Sequence, residues 1–211
     1  MSKLLLAFDT ETGGLDPKQA DVLTFYMAVV EIDTFKIIDE LDLKLKPDNG
    51  MPRADAGALK VNGINLQQHL ADPDIVTYSQ AKVMILAMLK KHLKKNGRFS
   101  NLVPMGQNVQ FDLDMTWEHL IPKQEWLTIC HYMTICTKHR IDFLKEAGWL
   151  PQEIGTLGSV VDHLGLPKRN AHNAKEDTLM CLDVYKAILA LLESKKSNSG
   201  GQDLITLLEA E

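Results

Sequence analysis

The chain has 211 residues, 45% of them hydrophobic and 24% charged. That composition belongs to a globular protein long enough to bury one substantial core, and it excludes a low-complexity or fibrous chain. The net charge of -5 excludes a protein that coats nucleic acid through a global basic field, but not an enzyme whose acidic site is neutralised by metal and whose substrate contacts are local.

Three cysteines, Cys130, Cys136 and Cys181, show neither CxxC spacing nor an even count, so they read as thiols of a reducing compartment. The first residues carry no signal-peptide pattern, and no apolar stretch reaches the roughly 20 residues that a bilayer demands. The expectation is a soluble cytoplasmic protein with no membrane partner.

In chain order, residues 4–8 (LLLAF) form a short apolar run ending in Asp9, Glu11 and the pair Gly13-Gly14, the pattern of a buried strand closed by a turn. Residues 22–32 (VLTFYMAVVEI) read as a strand buried on both faces. Residues 36–46 alternate, with Leu41, Leu43 and Leu45 on one face and charges on the other, as in a half-exposed antiparallel strand. The opening is thus a three-stranded meander. A short helix over 53–62 closes at Gly63. Thr77 and Gln80 have capping-box form, and Ala81, Met84, Ile85, Met88 and Leu89 follow at helical spacing. The basic cluster behind them, Lys90, Lys91, Lys94, Lys95 and Arg98, complements the helix C-terminus, with contact to a phosphate backbone as the alternative reading. Residues 101–105 (NLVPM) read as a short strand, and a helix starting near Phe111 places Asp112 in its first turn. A last strand is expected at 127–130, with helical segments over 132–144 and 156–164. Asn173 caps a final helix whose buried stripe is Leu182, Tyr185, Leu189 and Leu192. Residues 194–201 have linker composition, followed by a short apolar tail, so the chain divides into a domain over 1–193 and a linker and tail over 194–211.

On a strand, residues i and i+2 point to the same face, so Asp9 and Glu11 aim side by side. Two carboxylates sharing a site require a proton or a cation, and their oxygens suit Mg2+ or Mn2+. Taken alone, an acidic pair of this kind is common. Here DTETGGLDP (9–17) is joined by NVQFD (108–112) and HNAKED (172–177). In that order, and over residues 3–192, the three motifs resemble those of the DEDDh (DnaQ-like) 3′–5′ exonucleases, the family of the bacterial proofreading ε subunit, RNase T and oligoribonuclease. The stretch ALKVNGI (58–64) resembles a further segment of that family.

The resemblance implies an α/β, RNase H-like fold: a mixed five-stranded sheet, first three strands antiparallel, flanked by helices. It implies that Asp9, Glu11, Asp112 and Asp177 hold two divalent metal ions, Mg2+ or Mn2+, and that His172 is the general base. It places Thr12, Gly13, Leu15, Asn108 and Phe111 around the terminal nucleotide. Two departures bear on substrate preference: Gly13 replaces a threonine, a change expected to loosen the turn, and Gln107 replaces a histidine. The activity implied is removal of nucleotides from single-stranded 3′ ends, with DNA favoured in proofreading or end trimming. The alternatives are an exoribonuclease of the RNase T or oligoribonuclease type and a catalytically inactive polymerase or replisome adaptor. The tail at 202–208 (QDLITLL) loosely resembles peptides that dock on sliding clamps, which adds a clamp or a polymerase as a possible partner.

Overall fold

The computed structural model describes residues 3–96 and 99–198. The chain opens with β1 (Leu4–Thr12), β2 (Val22–Glu31) and β3 (Ile37–Lys46). Two short helices, α1 (Ala56–Asn62) and α2 (Leu66–Leu70), lead to the two-residue β4 (Val76–Thr77) and to α3 (Tyr78–His92). The small strands β5 (Lys95–Asn96) and β6 (Phe99–Ser100) pair with each other ahead of β7 (Leu102–Gly106). Then come α4 (Val109–His119), α5 (Lys123–Ile129), β8 (Ile135–Cys136), α6 (Thr137–Glu146), α7 (Leu157–His163) and α8 (Ala174–Asn198).

The main sheet has the order β4-β3-β2-β1-β7-β8. β1, β2 and β3 form the expected antiparallel meander, and β7 and β8 extend it in parallel from β1. The sheet has six strands where five are expected, because two-residue strands close both edges. β2 is buried along nearly its whole length because it is paired on both sides and covered on both faces. One face carries Leu6, Phe8, Phe25 and Met27 against α3, α4 and α5; the other carries Leu5, Ala7, Tyr26 and Ala28 against α8. α6 and α7 bury a smaller cluster against α8.

Local signals act as the residues dictate. The reciprocal Thr77–Gln80 capping box starts α3, and Gly63, at φ 67°, ends α1 in the left-handed conformation that glycine adopts without steric cost. In α3, Ala81, Ile85, Met88 and Leu89 are buried, whereas Met84 sits at the margin of the stripe and is exposed. Asn173 accepts the amide of Glu176 at 3.1 Å at the start of α8. That helix buries Leu182 and Tyr185 and leaves Leu192 exposed. It runs to Asn198, past Ser194, where the linker is expected to begin. Lys91 at the end of α3 ion-pairs with Asp39 on β3. Arg98 and the tail at 199–211 lie outside the described residues. No helix among those residues is long and apolar enough to cross a membrane.

The strand expected at 127–130 is instead the end of α5, and the last strand is β8. The buried residues there are Trp126, Ile129 and Cys130, at i, i+3 and i+4, while Leu127 is exposed. That is a helical stripe, which a short, mostly apolar run conceals. The helix expected from residue 132 begins at Thr137 because β8 takes the preceding pair. Trp126 is 1% exposed and packs on Phe8 of β1 at 5.8 Å between ring centroids. Trp126→Ala is expected to cost about 3–5 kcal/mol of stability, read by urea unfolding, because the cavity opens beneath the central strand.

Candidate active site

β1 is the scaffold of the site. β2 pairs with it to Thr12, but β7 pairs only as far as Ala7, opposite Met105. The last residues of β1 therefore project beyond β7, where Gly106 turns the chain into α4. A Cβ on Gly106 would stand 3.0 Å from the Phe8 carbonyl oxygen and 3.3 Å from Val109, so glycine lets the start of α4 approach the strand.

Alternation along β1 then sorts the polar side chains. Asp9 and Glu11 continue the face of Leu5 and Ala7, which packs on α8. Thr10 continues the face of Leu6 and Phe8, which packs on α4. The first turn of α8 supplies Asp177 and that of α4 supplies Asp112. Four acids from three elements, up to 168 positions apart in sequence (9 to 177), meet at one strand end.

Asp9, Glu11 and Asp177 form the compact part: each offers an oxygen, and these atoms lie within 4.8 Å of one another. Asp112, 2% exposed, stands beside them and is held by Thr10, whose amide and hydroxyl both donate to its Oδ1, at 2.9 and 2.7 Å. Asp177 Oδ2 accepts the backbone N–H of His172 at 3.1 Å. His172 itself is exposed, in the loop before α8, with φ 65°.

The electrostatics follow from burial and crowding. Burial, then the charges of Asp112, Glu11 and Asp177, hold Asp9 well above the usual carboxylate range. Burial, reinforced by Asp177 and Asp112, pushes Glu11 up to about 7. Asp112 is also raised by burial, against the pull of the two Thr10 hydrogen bonds, and Asp177 by burial, against the His172 amide. Among the described residues, no lysine or arginine ion-pairs with any of the four. Hard divalent cations relieve such an arrangement, since they take carboxylate oxygens and neutralise their repulsion. The donor set fits Mg2+ or Mn2+.

Next to Glu11 opens a cavity of about 380 Å³ between β1, its following turn and α1. Of the residues expected around a substrate, Thr12, Leu15 and Phe111 line it. Leu15 is 85% exposed, an apolar side chain standing over an apolar pocket. Asn108 does not line it: it is exposed, in the left-handed conformation (φ 56°) before α4, with no side-chain capping bond. Gly13 lies behind the cavity. A Cβ there would stand 2.2 Å from the Arg53 carbonyl oxygen, so Gly13 lets two backbone segments touch. Its N–H donates to Asp21 O and its carbonyl accepts the Asp55 N–H, both at 2.8 Å. Buried Asp21 is gripped by Arg53 through its guanidinium, at 2.8 Å, and its amide, at 2.6 Å. Gly13 thus tightens the turn that it is expected to loosen.

Sequence reasoning did not assign three residues that the structure brings in. Thr10, between the two acids, orients Asp112. Val61 and Asn62 of α1 line the cavity, and Asn62 donates to Thr12 O at 3.1 Å. The signal for the last two lay in ALKVNGI, singled out without a role.

The raised carboxyls set a sign. A carboxyl with a raised folded-state pKa stabilises the fold fully below its unfolded pKa, and that contribution is lost as pH rises through the folded pKa. In EDTA, the melting temperature should therefore fall as pH climbs from about 4.5 towards 7, and Glu11→Gln should flatten the fall. Mg2+ or Mn2+ should raise the melting temperature more at pH 8 than at pH 5. Equal metal effects at both pH values would count against a cation site among these acids.

A scan against protein-family models finds no match, and a search of curated proteins finds none. Among solved structures, the chain is similar to the zinc-bound E. coli exonuclease I–ssDNA complex, with TM-score 0.68 and 17% identity over 93% of this chain and 42% of that one. It is similar to E. coli exonuclease I with a dT13 oligonucleotide, at TM-score 0.64 and 20% identity over 89% and 40%. It is also similar to a complex of exonuclease I with SSB-Ct, at TM-score 0.66 and 17% identity over 89% and 41%. The chain spans less than half the length of these exonuclease I chains. The likeness covers the mixed sheet and its helices, and the chain has the RNase H-like exonuclease fold.

Proposed function

We propose that the chain is a metal-dependent 3′–5′ exonuclease that removes nucleotides from single-stranded 3′ ends, with DNA as its substrate in proofreading or end trimming. The observation that carries this reading is the half-buried acidic cluster beside an apolar cavity. A phosphate sits next to a base in every nucleotide, and this site pairs a place for each.

Asp9, Glu11, Asp112 and Asp177 are the residues that would hold two divalent metal ions. When bound, such ions stabilise the charge that builds on the attacking and leaving oxygens of an in-line displacement. The protein's own part is positioning. Thr10 keeps one oxygen of Asp112 occupied and so fixes the orientation of the other. The cavity receives the terminal base and sugar, with Leu15 and Phe111 offering apolar faces, and the Asn62–Thr12 bond holds its wall. His172 takes the proton of the attacking water on a ring nitrogen; the bond from its backbone to Asp177 ties its loop to the acidic centre. The choice of DNA is supported by the likeness of ALKVNGI to the ε subunit, and by similar structures solved with single-stranded DNA.

Purified protein with Mg2+ or Mn2+ should degrade a 5′-labelled single-stranded DNA oligomer to a ladder from its 3′ end. Asp9→Ala should abolish the ladder, and His172→Ala should lower kcat by about 10²–10⁴-fold with KM little changed. Faster degradation of the matched RNA would move the function to RNA turnover. Cleavage of neither strand would overturn the enzyme assignment in favour of an adaptor.

A further inference from the structure

A second surface lies at the opposite end of β1 from the acids. A cavity of about 360 Å³ is lined by Lys3, Phe99, Asn101, His131, Tyr132 and Met133, and none of its lining residues is acidic. Three rings gather there. His131 and Tyr132 stack at 4.8 Å and 20°, Phe99 and His131 at 5.8 Å and 23°, and Phe99 and Tyr132 lie 6.1 Å apart. The group is anchored: the His131 N–H donates to Leu102 O of β7 at 2.7 Å, and its Nδ1 accepts the Met133 N–H at 3.0 Å. Yet Tyr132 is 63% exposed, Met133 57% and Phe99 41%. A rigid aromatic cluster left open to water is a recognition surface more often than a packing remnant.

Its charge identifies the occupant. Lys3 lies on the rim, and Lys94 and Lys95 are exposed on the segment that pairs with β6, the strand bearing Phe99. Among the described residues, none of the three lysines is in an ion pair, whereas the nearby Lys91 pairs with Asp39. Lys3 and Lys94 also line an adjoining cavity with Glu31 and Asp33, without an ion pair to either. Cations left outside ion pairs beside exposed rings match a polyanion that carries flat apolar faces. A single strand offers unstacked bases and phosphates together; a duplex keeps its base faces hidden.

We propose that this surface is a second contact for single-stranded DNA, with bases stacking on Tyr132, His131 and Phe99 and phosphates lying against Lys3, Lys94 and Lys95. The choice of a single strand rests on the reading of the active site as an exonuclease centre. Five residue steps along β1 lead from Leu4 to Asp9, about 17 Å at roughly 3.4 Å per step. The two contacts therefore grip different nucleotides, the acids the 3′ terminus and the rings a stretch of strand away from it.

The test is fluorescence anisotropy of a 5′-labelled oligo-dT of about 20 nucleotides in EDTA, where no strand is degraded and the acids hold no cation. Tyr132→Ala should weaken binding about ten-fold, and Tyr132→Phe should keep wild-type affinity because it keeps the ring face. Lys3→Glu should weaken binding and lower the salt dependence by about one phosphate contact. Unchanged affinity in both Tyr132→Ala and Lys3→Glu would overturn the proposal and leave the rings as a face for a protein partner. If the wild type cleaves nothing in Mg2+, the exonuclease reading falls, while the anisotropy comparison still decides this one.

Discussion

Four carboxylates are forced together at the end of one buried strand, and among the described residues no lysine or arginine ion-pairs with them. Asp9 and Glu11 are brought there by β1, Asp112 by α4 and Asp177 by α8; the charges of Asp112, Glu11 and Asp177 raise the proton affinity of Asp9, and those of Asp177 and Asp112 that of Glu11. Such an arrangement opposes folding at neutral pH unless a cation offsets it. The fold supplies the stiffness that makes it tolerable. β1 is paired on both sides up to Ala7 and by β2 alone through its acidic end, and its two faces are packed by helices from opposite layers.

The same strand end builds the neighbouring cavity. Past Glu11 the register with β2 shifts, and the chain enters the turn that carries Gly13, Gly14 and Leu15. That turn is clamped from behind: Gly13 touches the Arg53–Ala54 backbone, and Arg53 is locked to buried Asp21. The clamp leaves Leu15 projecting over the pocket without a tertiary contact strong enough to bury it. Rigid backbone under an exposed apolar side chain suits contact with a flat base, because little conformational entropy remains to be lost on binding.

Chemistry is concentrated at the two ends of β1 in different forms. One end gathers acids beside an apolar pocket; the other sets Lys3 beside aromatic rings. With a net charge of -5 the chain has no global field to draw in a polyanion, so any hold on nucleic acid must be local. The cationic aromatic surface is a local feature of that kind, and the acidic end acquires one when cations occupy it.

Local pattern determined a good deal. Continuous apolar runs marked β1 and β2, two-residue alternation marked β3, and the Thr77–Gln80 box and Gly63 marked helix ends. These signals are legible because each depends on residues within a few positions of one another, whereas Asp9, Glu11, Asp112 and Asp177 were grouped only by the resemblance of three ordered motifs to a known family. It did not show that 127–130 belongs to a helix, because a short apolar run has the same composition in either state until its burial is known. It did not single out Thr10, whose importance comes from the face of β1 opposite the acids, nor Asn62, which matters through one bond to Thr12 O across 50 positions. It placed Asn108 in the pocket, which the left-handed turn before α4 does not do. Only tertiary packing decided which helix covers which face of β1, and therefore which side chains meet at its end, because contacts between distant segments are set by how whole faces pack and leave no mark in the local spacing of residues.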